Sequence, residues 1–222
     1  WAWALLSPLG PLFRNQGTLG ALSDSDVALM VAVPVVVGSL GRIPVGALTD
    51  KLGGRVMFPV VSAATIVPIL FLAFFALNSY VLILIGGFFL GIGGTAFAVG
   101  VPFVNAWFPP ERRGLAVGIF GAGMGGTAIS ALTTVKLYAN VGEKAPFVIT
   151  AVVLAVYAVV SWLLLRDAPG RTPPTTPLMS RLMANVKLPI TIQAGILYAV
   201  AFGGYVAFSV YLPAYLKTAH GL

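Results

Sequence analysis

The chain has 222 residues, of which 59% are hydrophobic and only 9% are charged, and its formal net charge is +7. A soluble domain of this length carries roughly a quarter charged residues, so this composition excludes a water-facing globule and indicates that lipid is the solvent. The chain has no cysteine and one histidine, His220, which excludes a disulfide framework, a thiolate metal site and a histidine-based catalytic triad. We therefore expect no metal, no cofactor and no enzyme activity.

Apolar stretches recur along the whole chain, and about 20 mainly apolar residues are enough to span ~30 Å of hydrocarbon. The first stretch, 1–13, is too short to cross and starts inside an apolar run without an initiator methionine, so the chain looks truncated at its start. The fold class is predicted to be all-α, a polytopic membrane helix bundle. Full spans are expected at roughly 26–49, 56–77, 80–108, 114–138, 145–165 and 189–216.

The connections between these spans are short, which makes sequential helices antiparallel neighbours. One connection is long, from Arg166 to Leu188, and its four prolines are typical of a linker between two units. The sequence thus predicts an N-terminal six-helix bundle at 1–166 with an incomplete first helix. A cytoplasmic linker follows at 167–188, and a seventh helix at 189–222 begins a second bundle.

The basic residues are distributed unequally between the two sides of the membrane, and the richer side is expected to be cytoplasmic. This places the N-terminus in the cytoplasm and the protein in the plasma or inner membrane. One side has eight basic residues: Lys51, Arg55, Arg112, Arg113, Arg166, Arg171, Arg181 and Lys187. The other has four: Arg14, Lys136, Lys144 and Lys217.

The thirteenth basic residue, Arg42, lies inside a predicted span, whereas all six acidic residues lie in loops or at span ends. A charge within a span costs at least ~2.5–3.5 kcal/mol and needs compensation. Since no carboxylate of this chain lies at its depth, we expect the counter-ion to lie on the part of the protein that is absent from this chain or to be a transported anion. The alternative is that Arg42 extends to the headgroups.

Glycine is concentrated in the 80–108 and 114–138 spans. In lipid, glycine lets helices approach closely, and the spacings Gly114/Gly118 and Gly121/Gly125 predict such contacts. The alternatives are plain packing and a tight core that changes shape.

Residues 46–55 (Gly-Ala-Leu-Thr-Asp-Lys-Leu-Gly-Gly-Arg) resemble the loop signature between helices two and three of the major facilitator superfamily. A finer resemblance is to its nitrate/nitrite porter family. It rests on Arg42-Ile-Pro-Val-Gly46 before that loop, on the glycine-rich residues 118–127, which are similar to the family's nitrate signature, and on residues 198–217. The resemblance covers essentially the whole chain, and implies the first half of a twelve-helix carrier plus one helix of the second.

The resemblance also implies roles for individual residues. Arg42 would bind the anion, and Phe97 and Tyr198 would sandwich it. Met124 stands where the family usually has asparagine, which removes a polar contact and weakens the expectation of nitrate selectivity. The glycine-rich signature contributes Gly121 and Gly123 beside Met124. The gating loop, 46–55, would use Gly46, Asp50, Gly53, Gly54 and Arg55, with Asp50 and Arg55 latching the cytoplasmic side.

The resulting hypothesis is a secondary active transporter that moves nitrate or nitrite by alternating access. Its expected partners are the anion, the bilayer and the missing C-terminal half of the same protein, and no nucleic acid. The alternatives are a carrier of another small anion such as a carboxylate, a channel-like pore, and a non-transporting membrane sensor.

Overall fold

The computed structural model describes the backbone of residues 1–220 and the side chains of residues 1–208. The chain divides into two compact units, Trp1–Pro173 and Pro174–Leu222. Six described helical stretches are long and apolar enough to cross a membrane, which confirms the predicted all-α membrane fold. These stretches are Asp24–Leu52, Gly54–Ala76, Tyr80–Trp107, Pro110–Asn140, Ala145–Leu164 and Pro189–Phe208.

Several of these stretches are built from more than one helical segment. The first unit contains α1 (Leu6–Gln16), α2 (Asp24–Leu52), α3 (Gly54–Phe71), α4 (Tyr80–Leu90), α5 (Ala96–Trp107), α6 (Pro110–Gly121), α7 (Gly126–Asn140) and α8 (Ala145–Leu164). The second contains α9 (Leu178–Val186) and α10 (Pro189–His220).

Contacts at the two ends of the first unit show that successive spans run antiparallel. At one end, Arg14 pairs with Asp24, and the Tyr80 hydroxyl donates to the Asp26 carbonyl at 3.3 Å. At the opposite end, which we call the linker end, the Trp107 Nε1–H donates to the Arg166 carbonyl at 3.2 Å. Short connections therefore produce the up-and-down order that the sequence predicts.

The apolar core of the first unit is largest at the α1 end. Leu5, Leu9 and Phe13 are fully buried there. The ring centroids of Phe13 and Tyr138 are 5.7 Å apart in an edge-to-face arrangement. A second, smaller cluster towards the linker end contains Met57, Phe58, Val61 and Val99. Many other large apolar side chains are exposed, for example Leu164 at 73%, as expected where lipid replaces water.

Several buried hydroxyl groups in the spans donate to backbone carbonyls one turn earlier. Ser62 donates to Phe58, Thr65 to Val61 and Thr150 to Pro146, at 2.7–2.8 Å. Polar groups without partners are expensive in hydrocarbon, so these local bonds let small polar residues pack between helices.

Glycine clusters interrupt two spans with 3-10 turns, at Gly91–Thr95 and at Ala122–Gly125. Glycine is a weak helix former, and a 3-10 stretch inside a helix often marks strain or a hinge. Of these turns, Gly91–Thr95 packs directly against α2.

The glycine contacts differ from the expectation in one respect. At Gly114, Gly118, Gly121 and Gly125, no neighbouring atom lies within 4 Å of where a Cβ would be, so the expected small-xxx-small contacts are not made within the described chain. The close backbone approach is instead made by Gly38 and Gly91, because α2 packs on the 80–107 span rather than on the face of α6–α7 that carries those four glycines.

Candidate functional site

Arg42 lies in α2, ten residues before the end of the helix at Leu52, and its side chain is half-buried. The Arg42 Nε–H donates to the Gly94 carbonyl at 3.5 Å. Gly94 belongs to the 3-10 turn that interrupts the 80–107 span, where a helix carbonyl is less completely used by its own helix. The Gly94 carbonyl thus orients the guanidinium across the contact between α2 and the 80–107 span.

This contact corrects one expectation. From the sequence, we considered only carboxylates as partners for Arg42 within this chain. In the structure, the backbone carbonyl of Gly94, in the interrupted 80–107 span, is a partner of Arg42. The sequence signal was present in Gly91, Gly93 and Gly94, whose density favours an interruption. A long contact of 3.5 Å to a neutral dipole compensates a cation less than a carboxylate would.

Phe97 lies one residue into α5, just after that 3-10 turn, and is half-buried. Its ring centroid is 5.6 Å from that of Phe120 on α6, with the planes tilted by 37°. Gly100 makes room for this pair, since a Cβ at Gly100 would overlap the Phe120 ring. The structure therefore adds Phe120 to the aromatic residues near the interrupted span, and sequence reasoning had not selected it.

The glycine-rich signature occupies the second interruption. Gly121 ends α6, Gly123 and Met124 lie in the 3-10 turn, and α7 begins at Gly126. Among the described side chains, no atom lies within 4 Å of a Cβ position at Gly121 or Gly123, whereas Met124 is half-buried. Phe120 lies within the signature, two residues before this turn, so the signature contributes one ring of the aromatic pair.

Tyr198 belongs to the second unit. It lies on α10, where its ring stacks on that of Phe202 with a centroid distance of 5.3 Å and an interplanar angle of 7°. The ring planes are therefore nearly parallel. Its predicted role in holding the anion stays a prediction.

The gating loop contains the end of α2 and the start of α3. Asp50 lies in the last turn of α2, and Gly53, with φ +92°, is the single non-helical residue between the two helices. Gly46 has open space at its Cβ position, whereas a Cβ at Gly54 would overlap the Phe103 ring. Of Gly53 and Gly54, only Gly53 makes the turn; Gly54 is helical, and its small size accommodates Phe103 of α5.

Arg55 makes contacts that sequence reasoning missed. Its amide donates to the Asp167 carboxylate at 3.1 Å, and its guanidinium lies 5.7 Å from the centre of the Trp162 ring. The Arg171 guanidinium donates to the Asp50 carbonyl at 2.8 Å. These partners are more than 100 residues apart in sequence, so no local pattern could have revealed them.

Taken together, the arrangement is suited to binding an anion. A guanidinium is always protonated and presents parallel N–H donors that match an oxyanion. Arg42 lies within one span and contacts the 3-10 turn of another, and Phe97 follows that turn directly.

Comparison with known proteins gives consistent matches over the whole chain. A model of the Major Facilitator Superfamily matches residues 1–222. The chain is 46% identical over 222 residues to a probable nitrate/nitrite transporter, NarK2, of Mycobacterium tuberculosis strain H37Rv. It is 34% identical over 221 residues to the nitrite extrusion protein of Bacillus subtilis strain 168. It is 32% identical over 216 residues to a probable nitrate transporter, NarT, of Staphylococcus epidermidis.

These matches cover 100%, 99% and 97% of this chain but only 55%, 54% and 54% of the three relatives, respectively. The chain spans about half the length of the curated relatives that it matches.

Proposed function

Because this chain belongs to the Major Facilitator Superfamily, a family of multi-pass membrane transporters and not of enzymes, we propose that it forms part of a secondary active transporter for a small inorganic anion. Nitrate or nitrite is the proposed substrate. The names of the three relatives, which concern nitrate, nitrite or both, support this choice.

The observation that carries the proposal is the position of Arg42 within a span, half-buried and oriented by the Gly94 carbonyl. A cation held at this depth costs at least ~2.5–3.5 kcal/mol, and ionisable residues inside spans usually mark the path of a solute. The planar guanidinium fork fits a planar oxyanion through two parallel hydrogen bonds. Nitrate and nitrite have this shape and charge.

The other predicted residues are proposed to complete the site. Phe97 and Tyr198 would contact the faces of the planar anion, while Gly121, Gly123 and Met124 would let α6–α7 approach it. The 3-10 turns at Gly91–Thr95 and Ala122–Gly125 support a moving role for these spans, since a 3-10 stretch inside a helix often marks a hinge.

The proposed mechanism is alternating access, in which two bundles rock about an anion held near the midplane. Residues 1–166 would form one bundle, and α10 would be the first helix of the other. The gating loop would control access on the linker end, which the distribution of basic residues assigns to the cytoplasm.

Transport assays with the complete twelve-helix protein in proteoliposomes test this proposal. We expect saturable nitrate or nitrite uptake, and counterflow when the vesicles are preloaded with the same anion. Uptake without saturation or counterflow would indicate a pore, and anion binding without flux would indicate a sensor.

A carrier of a different small anion is the second candidate, and Met124 favours it because a thioether replaces the amide that the porter family usually has. Competition between anions for uptake distinguishes a nitrate/nitrite carrier from a carrier of a different small anion. If formate or acetate inhibits uptake more strongly than nitrate and nitrite do, the substrate is a carboxylate.

A further inference from the structure

The first residues after α8 lie against the gating loop. The Asp167 carboxylate accepts a hydrogen bond from the Arg55 amide at 3.1 Å, and the Arg171 guanidinium donates to the Asp50 carbonyl at 2.8 Å. We call Asp167 and Arg171 the linker clamp. It connects the end of α8 to both sides of the turn between α2 and α3.

Asp167 acts as a capping residue supplied from a distant part of the chain. The residue before α3 is Gly53, which has no side chain to cap the helix, and Arg55 is the second residue of α3. A carboxylate at this position satisfies an amide that the helix leaves unpaired and complements the positive end of its dipole.

Gly53 is shaped for this contact as well as for the turn. A Cβ at Gly53 would overlap the Asp167 carboxylate, so the glycine provides the space in which the carboxylate lies. Its φ of +92° also favours glycine, and the two requirements coincide at one residue. Gly53 therefore meets two requirements at once: it adopts the backbone conformation of the turn, and it leaves space for the Asp167 carboxylate.

Arg171 makes the corresponding contacts at the C-terminal end of α2. Its guanidinium donates to the carbonyls of Asp50 and of Thr49, at 2.8 and 3.5 Å. A cation near the last carbonyls of a helix complements the negative end of its dipole, and the Thr49 carbonyl also accepts from the Gly53 amide at 2.9 Å. The two charges of the linker clamp thus match the two helix ends between which they lie.

Two further contacts hold this segment and the end of α8. The Trp107 indole donates to the Arg166 carbonyl at 3.2 Å, and the Arg55 guanidinium lies over Trp162 of α8. Residues 166–171 are therefore tied to α2, α3 and α5 as well as to α8.

From this geometry we infer that Asp167 and Arg171 are positioning residues of the transport cycle: they make the gating loop move with α8 as one body, and the free tether between the two units begins only after Arg171. This inference rests on the proposed function for the role of the loop, but the clamp itself is measurable without any substrate.

Limited trypsin digestion of the complete protein in lipid nanodiscs reads the clamp directly. The Arg171 side chain is itself exposed, so it is the contacts with Thr49 and Asp50 that must detach for efficient cleavage after it. Lys187, also exposed, follows α9 outside the clamp and serves as the reference site in the same sample. Losing a charge-assisted hydrogen bond shifts such an opening equilibrium by roughly tenfold, and cleavage follows the open population. We therefore expect Asp167→Ala to raise the ratio of cleavage after Arg171 to that after Lys187 by about tenfold.

Asp167→Asn is the conservative variant: its side-chain oxygen can still accept from the Arg55 amide but without the negative charge, so the cleavage ratio should rise by less than in Asp167→Ala. Hydrogen exchange of the peptide that contains Arg55 should accelerate in Asp167→Ala and not in the control Glu143→Ala, which also removes one negative charge, from an exposed side chain. An unchanged cleavage ratio in Asp167→Ala, or an equal rise at both sites, would overturn the clamp.

Transport kinetics test the positioning role. Asp167→Ala should lower kcat per inserted molecule several-fold and leave KM within about twofold, because the clamp acts on the moving bodies and not on the anion. If digestion shows that the clamp is open in Asp167→Ala but kcat keeps its wild-type value, the positioning role is wrong. If the wild-type protein carries neither nitrate nor nitrite but shows the expected digestion pattern, the proposed substrate fails while the clamp stands.

Discussion

Gly38 of α2 and Gly91 of the interrupted span are in backbone contact. A Cβ at Gly38 would lie 2.8 Å from the Gly91 carbonyl oxygen, and a Cβ at Gly91 would lie 2.7 Å from the Pro34 carbonyl oxygen. Arg42 lies four residues after Gly38, and Gly94 lies three residues after Gly91. This contact therefore fixes the register in which Arg42 meets the Gly94 carbonyl.

Gly38→Ala should destabilise the protein, because the new methyl group would collide with backbone that cannot rotate away. Overpacking of this kind costs about 1–3 kcal/mol. Thermal unfolding in detergent should show a lower Tm, and anion binding should weaken as the Arg42–Gly94 register shifts.

Gly118→Ala is the matched control for this substitution. It adds the same methyl group at a position with open space, so its Tm should equal or exceed that of the wild type. An equal loss of stability in both variants would argue against a specific contact between Gly38 and Gly91.

Arg42→Gln should remove anion uptake while leaving the protein inserted and folded. Truncating one partner of a buried charge pair costs about 2–5 kcal/mol, which corresponds to ~30-fold or more in affinity. Arg42→Lys keeps the charge but loses the parallel donors, and should give intermediate uptake. Normal uptake by Arg42→Gln, measured per inserted molecule, would remove Arg42 from the mechanism.

Gly100 and Phe120 should be energetically coupled, because a Cβ at Gly100 would occupy the space of the Phe120 ring. Gly100→Ala alone should lower stability. The double variant Gly100→Ala/Phe120→Ala should be more stable than the sum of the two single losses implies. For residues in contact, a double-mutant cycle measured by thermal unfolding gives coupling of about 0.5–3 kcal/mol. Additive losses would show that the ring can relocate.

Met124→Asn should restore the amide that the porter family usually has at this position. The substitution lies in a 3-10 turn and not in a regular helix, so the fold should tolerate it. We expect nitrate to compete more effectively against carboxylates for uptake in this variant. An unchanged preference for nitrate would show that the side chain at 124 does not contact the anion.

The spans were predictable because hydropathy and length alone decide which segments cross a bilayer. The predicted span at 145–165 and the observed helix Ala145–Leu164 differ by one residue. The position of Arg42 inside a span was visible for the same reason. These features depend only on residues that are close together in sequence.

The partners of these residues were not predictable, because they depend on which helices meet. Gly94 lies 52 residues from Arg42, and Asp167 lies 112 residues from Arg55. The Phe97–Phe120 pair is likewise set by the packing of α5 on α6. Asp167 also lies beyond the resemblance motifs, which directed attention to Asp50 as the acidic residue of the gating loop.

The open glycine positions on α6–α7 make the protein well suited to spectroscopy. The sequence has no cysteine, so a single cysteine introduced at Gly114, Gly118 or Gly125 would be the only thiol in this chain. Among the described residues, no atom lies within 4 Å of the Cβ position at any of the three, so a spin label or fluorophore would displace no described neighbour. Pairs of such labels would report distance changes along this span while the transporter turns over.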